Sequence, residues 1–171
     1  SGEQNFLSSF FFNMAVFFFA AVGVGFLFVP QLFINDPLGY RLAVIGSFFF
    51  VLGMIFFAGV GLTPYDLYTD LHIFFALNAF RLLVPGALLY VIVIYRSPLK
   101  NAFTLITIAY LISVTAYVLY QLNSGSALDS EVEMVRQATI QKVIVLISMF
   151  STYSLSYAFS HQFRVLQKKA P

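Results

Sequence analysis

Residues 9–29 read SFFFNMAVFFFAAVGVGFLFV, and this run decides the fold. A membrane-crossing strand alternates apolar and polar positions over about ten residues. This run has no alternation and is about twice that length. Lipid offers the backbone no hydrogen-bond partner, so a continuous apolar run must close its bonds within itself, as a helix. Five such runs follow one another, at about 6–29, 40–62, 71–95, 102–122 and 138–160, each able to supply the ~20 residues that a span requires. The expectation is an all-α, polytopic transmembrane bundle of five spans, forming a single domain over residues 1–171.

Composition agrees with that reading. Of the 171 residues, 60% are hydrophobic and 9% charged, and the mean hydropathy is +0.89. Such a chain cannot build a water-facing surface on all sides. The 22 Phe and 10 Tyr are explained by lipid contact and helix packing. With no Cys, disulfides, thiol chemistry and Cys-ligated metals are excluded. A net charge of +2, with no basic run among aromatics in a soluble region, sets nucleic-acid partners aside. The chain opens at Ser1 without Met, so Ser1-Gly2 reads as a processing remnant, and the first run reads as a retained span rather than a signal peptide.

The connections PQLFINDPLG, TPYDLYTD, RSPLKN and NSGSALDSEVEMVRQ are rich in turn formers. Five spans put the termini on opposite sides. One face then holds Arg41, Arg96, Lys100, Arg164, Lys168 and Lys169, the other only Arg136 and Lys142. The positive-inside rule makes the richer face, with the C-terminus, cytoplasmic, and puts the N-terminus outside or in a lumen. Glu3, Asp66, Asp70, Asp129, Glu131 and Glu133 then form an acidic outer rim. Residues 128–140 read equally well as a short interfacial helix or as an N-terminal extension of the fifth span, with its acids favoured by the helix dipole.

Gly59 to Arg81, GVGLTPYDLYTDLHIFFALNAFR, carries the most polar chemistry. An ionisable residue inside a span is a functional-site hypothesis by default. With a third helix starting near Leu71, Arg81 lies about 15 Å along it, near mid-bilayer. Asn78 shares its face, whereas His72, nine residues away, is about half a turn out of phase. The expectation places Arg81 in the bundle interior, with Asn78, Asn13 and Lys142 as partners in an anion or anionic-lipid site. Asp66, Asp70 and His72 form an outer polar rim. As metal ligands these three would suit Zn or Mn, but their spacing fits no strong metal motif. Asp70 as N-cap of the third helix, with His72 in its first turn, is favoured, so no metal or other cofactor is assigned.

Polar residues recur on single faces of the fourth span (Tyr110, Ser113, Tyr117 and Tyr120) and of the fifth (Ser148, Ser151, Ser154 and Tyr157). Interhelical hydrogen-bond seams explain them, and a lined cavity is the alternative. Gly46, Gly53, Gly59 and Gly61 read as close-packing positions.

The segment GLTPYDLYTDLHIFFALNAFRLLVPGALLY resembles the second-to-third-helix junction of the DRAM-like membrane proteins and their prokaryotic relatives. The matching positions are Gly61, Pro64, Asp66, His72, Ala76, Ala79 and Phe80. IQKVIVLISMF, with Gln141 and Lys142, is similar to that family's last helix, and NFLSSFFFNMAV to the opening of its second span. G-L-T-P stands here in place of the family's G-x-F-P. The resemblance implies six spans with both termini cytoplasmic, so five spans correspond to a missing first helix. It also implies links to autophagy regulation and glycolipid-anchor remodelling, and no catalytic residue is carried over.

Three functional expectations result. The first is a non-enzymatic membrane protein that binds or organises lipid, or serves as a subunit of a larger membrane assembly or a homo-oligomer. The second is a lipid-modifying membrane enzyme using Asp66, Asp70 and His72 as metal ligands or acid/base groups. The third, a small transporter or channel, calls for repeats or broken helices that the sequence lacks.

Overall fold

The computed structural model describes residues 6–65, 67–124 and 130–169 of the chain. Among them, five helices are long and apolar enough to cross a membrane, and there is no strand. They are α1 (Phe6–Val22), which reaches spanning length only with its 3-10 continuation to Leu27, α2 (Pro37–Leu62), α3 (Thr69–Arg96), α4 (Asn101–Asn123) and α5 (Glu131–Lys169). The chain is an all-α bundle of five candidate membrane spans.

The first apolar run is not one helix. After Val22 it tightens into two 3-10 segments, Gly23–Leu27 and Val29–Phe33. Gly23 stands at the change, and its lack of a Cβ admits the Met54 side chain, which such an atom would meet at 2.2 Å. Pro30, with no N–H, cannot return an α-helical bond to the Phe26 carbonyl. That carbonyl is instead satisfied from outside the segment: Ser47 Oγ donates to it at 2.7 Å and lies 2.6 Å from the Tyr90 hydroxyl. Since Ser47 has one proton, Tyr90 must donate to Ser47. This buried relay ties α1's continuation to both α2 and α3.

The α2–α3 hairpin is the centre of the molecule, with the largest helix–helix contact. Small residues let the backbones approach: a Cβ on Gly53 would sit 3.4 Å from the Ala79 carbonyl, and one on Gly59 would overlap the Phe75 ring at 2.5 Å. Aromatic rings fill the remaining space. Phe26 stacks on Phe50 at 4.6 Å between centroids, Phe57 meets Phe80 at 5.0 Å, and Phe80 meets Tyr117 at 4.6 Å. Thr63 Oγ1 closes α2 on the Gly59 carbonyl at 2.7 Å. At the far end of the hairpin, Arg96 forks onto Asp36, with Nε and Nη2 each 3.2 Å from a carboxylate oxygen.

The remaining helices add in chain order. α1 packs on α2, α4 on α3, and α5 on α4. At the α3–α4 end, α5 also reaches the second 3-10 segment, where Phe33 meets Phe159 at 6.2 Å. At the opposite end, α1 and α5 share no substantial contact among the described residues.

Two boundary expectations are settled. Of the two readings of 128–140, the N-terminal extension of the fifth span is the one formed, since residues from Glu131 onward belong to one continuous α5. Ser130 Oγ accepts the Glu133 N–H at 3.1 Å, and Ser130 and Glu133 hold the positions of a capping box. Asp70 is not an N-cap: α3 starts at Thr69, and Asp70 lies in its first turn, exposed.

Candidate functional site

The gap between α1 and α5 is a cleft of about 490 Å³ at the end of the bundle where α1 begins. α1 contributes Ser8, Ser9, Phe12 and Asn13, and α4 contributes Tyr117 and Gln121. His72 and Tyr65 stand on the α3 side, with Ile73, Ala76 and Leu77 beneath them. The α5 wall carries Gln137, Gln141 and Lys142. The cleft is thus amide- and hydroxyl-rich, apolar at its base, and lined by no described acid.

Local structure fixes the orientation of its groups. His72 Nδ1 lies 2.6 Å from the Thr63 carbonyl. A carbonyl only accepts, so Nδ1 carries the proton and Nε2 is the ring's remaining polar atom. The Tyr65 ring meets the imidazole edge-on at 5.6 Å. The Tyr117 hydroxyl faces the Gln121 amide. At the rim, Glu133 accepts from Tyr120 at 3.1 Å and from Gln137 at 2.9 Å, and pairs with Arg136. Arg136 also lies 5.7 Å over the Tyr120 ring. This knot pins the start of α5 to the end of α4 and so sets the cleft's width.

Two polar atoms on this cleft are buried without a protein partner: the Tyr65 hydroxyl and Gln121 Oε1. Buried polar atoms are rarely left unpaired. Lys142, exposed on the α5 wall, has no ion pair among the described residues. A ligand that fits therefore brings a negative charge for Lys142, together with a hydroxyl or amine that donates to Gln121.

The expected site residues divide. Asn13, His72 and Lys142 come together in the cleft, while Asn78 and Arg81 do not line it. Arg81 is not in the bundle interior: its side chain is exposed on α3. α3 is apolar on nearly every side, so its sequence could not tell the packed face from the lipid-facing one. Asn78 spends its amide on its own helix, donating to the Phe74 carbonyl at 2.8 Å. Asp66 lies outside the described residues, Asp70 does not line the cleft, and no group of three metal-ligating side chains occurs among the described residues. Tyr65, Gln121 and Gln137 were not singled out from sequence. Gln121 and Gln137 were legible only as polar residues near helix ends.

The polar faces of α4 and α5 meet only in part: Ser113 and Ser148 donate to carbonyls of their own helices, and Tyr157 is exposed. Tyr110, Tyr117, Ser148 and Ser151 are all buried, and the Tyr110 hydroxyl lies within hydrogen-bonding reach of Ser148. Comparison with family models, with curated proteins and with solved structures returns no match for this chain.

Proposed function

We propose that this protein is a non-enzymatic integral membrane protein that holds an anionic lipid headgroup bearing hydroxyls or an amine in the cleft between α1, α3, α4 and α5. The observation that carries the reading is the pair of buried, unpartnered atoms, Tyr65 Oη and Gln121 Oε1, on the same cleft as the unpaired Lys142. Lys142 takes the phosphate or carboxylate. Gln121 accepts from a headgroup hydroxyl or amine, and Asn13 and Gln141 flank it. Ile73, Ala76 and Leu77 receive the first acyl carbons, which suits a cleft walled by helices and reached from the bilayer. The charge distribution along the chain directs this end outward or into a lumen.

Native mass spectrometry tests it, on protein extracted from phosphatidylcholine bilayers containing about one-tenth phosphatidylglycerol. A charge-assisted hydrogen bond contributes about 1.5–3 kcal/mol, so Lys142→Ala should lower phosphatidylglycerol retention at least tenfold. Gln121→Leu should weaken retention less, and Arg81→Leu, on another face, should leave it unchanged. Equal retention by wild type and Lys142→Ala refutes the reading. Hydrolysed lipid that appears with wild type and not with His72→Ala would replace it with the enzyme.

A further inference from the structure

Along α3, Phe74, Asn78, Arg81, Pro85, Leu88 and Ile92 are spaced alternately by four and three residues. Phe74, Arg81, Leu88 and Ile92 are exposed, and Asn78 and Pro85 half-buried, so the seam is largely uncovered, although at its start Phe74 meets the Phe56 ring of α2 at 5.8 Å. A 3.5-residue repeat is the one used by helices that cross at a shallow left-handed angle. The seam is apolar except at its middle. There Arg81 lies twelve residues into the 28-residue helix, about 18 Å from its start.

Among the described residues Arg81 makes no hydrogen bond, ion pair or ring contact. Four residues on, Pro85 stands inside the helix. It has no N–H to return to the Arg81 carbonyl. A cation and a backbone acceptor without its helical donor therefore sit at one place, facing the depth where lipid supplies neither anion nor donor.

We propose that this seam docks a transmembrane helix of a different protein, one that carries an Asp or Glu near mid-span to pair with Arg81. The described spans of a second copy do not offer that group at mid-depth: of the seven acids in the sequence, Asp36, Asp70, Glu131 and Glu133 stand just before a helix or in its first turn, and Glu3, Asp66 and Asp129 fall outside the described residues and outside all five spans. A lipid phosphate sits at headgroup level, some 15 Å from the midplane. A neighbouring helix can present its carboxylate at Arg81's own depth.

The test uses the whole protein in phosphatidylcholine vesicles with a synthetic Leu/Ala transmembrane peptide of about 25 residues carrying one central Asp. Because the chain has no Cys, a single introduced cysteine takes the acceptor dye, and association is read by energy transfer in mildly alkaline buffer. The Asp peptide should associate about tenfold more tightly than the same peptide with a central Leu. Arg81→Leu should abolish that preference and Arg81→Lys retain part of it. Arg81→Asp should transfer the preference to a Lys-centred peptide. Equal association of the Asp and Leu peptides overturns the proposal, as does an Asp preference that survives Arg81→Leu. High-yield disulfide cross-linking of Leu88→Cys to itself would put a second copy on the seam and overturn it. So would an anionic lipid lost on Arg81→Leu without any Asp preference.

Discussion

Replacing Ser47 with alanine should destabilise the bundle by about 2–4 kcal/mol, much more than the loss of one hydroxyl from a surface. Ser47 Oγ gives its proton to the Phe26 carbonyl and receives one from Tyr90. Tyr90 is 0% exposed and Ser47 4%, and Pro30 cannot substitute as donor to Phe26. The variant therefore strands a carbonyl and a phenol together, at about 1–2 kcal/mol each, where lipid and packed rings exclude water. Tyr90→Phe leaves the Ser47–Phe26 bond in place and should cost only about 1 kcal/mol. In the double variant only the carbonyl remains stranded, so the two effects should fall short of additivity by about 2–3 kcal/mol. Reversible unfolding in mixed micelles, followed by far-ultraviolet circular dichroism across the full cycle, measures each quantity. A Ser47→Ala cost below about 1 kcal/mol, or an additive cycle, would refute the claim that one relay holds both groups.

Gly61→Ala should loosen α1, because its Cβ would meet the Asn13 carbonyl at 2.8 Å and Phe17 at 3.1 Å. A loss of about 1–3 kcal/mol should appear in the same unfolding assay, whereas Gly25→Ala, which meets nothing within 4 Å, should be neutral or slightly stabilising. The Arg96 guanidinium holds the Asp36 carboxyl below its ordinary value of 3.8. A lowered folded-state pKa adds stability above the unfolded value and loses it as pH falls through the folded one. The melting temperature of wild type should therefore drop below about pH 4 more steeply than that of Asp36→Asn, and parallel curves would exclude a contribution from this pair.

The five spans were legible because lipid leaves an apolar segment only one way to satisfy its backbone, so hydropathy reports the element directly. Their ends were less so. α1 gives way to 3-10 segments after Val22; Pro30 is the local part of the cause, and the packing of Gly23 against Met54 of another helix is a tertiary feature that no local signal carries. The start of α5 stood between two readings because hydropathy falls before residue 138; the capping spacing of Ser130 and Glu133 was the local signal that marks it. The half-turn between His72 and Arg81 was readable by counting, and the two do occupy different faces. Which face points inward was not readable, since a helix apolar all round offers no contrast between packed and lipid-facing sides. For that reason Asn13 and Lys142 were grouped with Asn78 and Arg81, and His72 with the acids of the outer rim, although Asn13, Lys142 and His72 share the cleft.

The order of packing carries a consequence for biogenesis. Each helix rests mainly on the one preceding it, so α1 through α4 can associate as they are released into the bilayer, without waiting for the end of the chain. α5 arrives last, and it seals one end against the 3-10 segment while leaving the other parted from α1. The cleft therefore takes shape only once α5 joins the other four helices. It is also the part that a late-binding lipid or a neighbouring chain could still influence after α1 to α4 have packed.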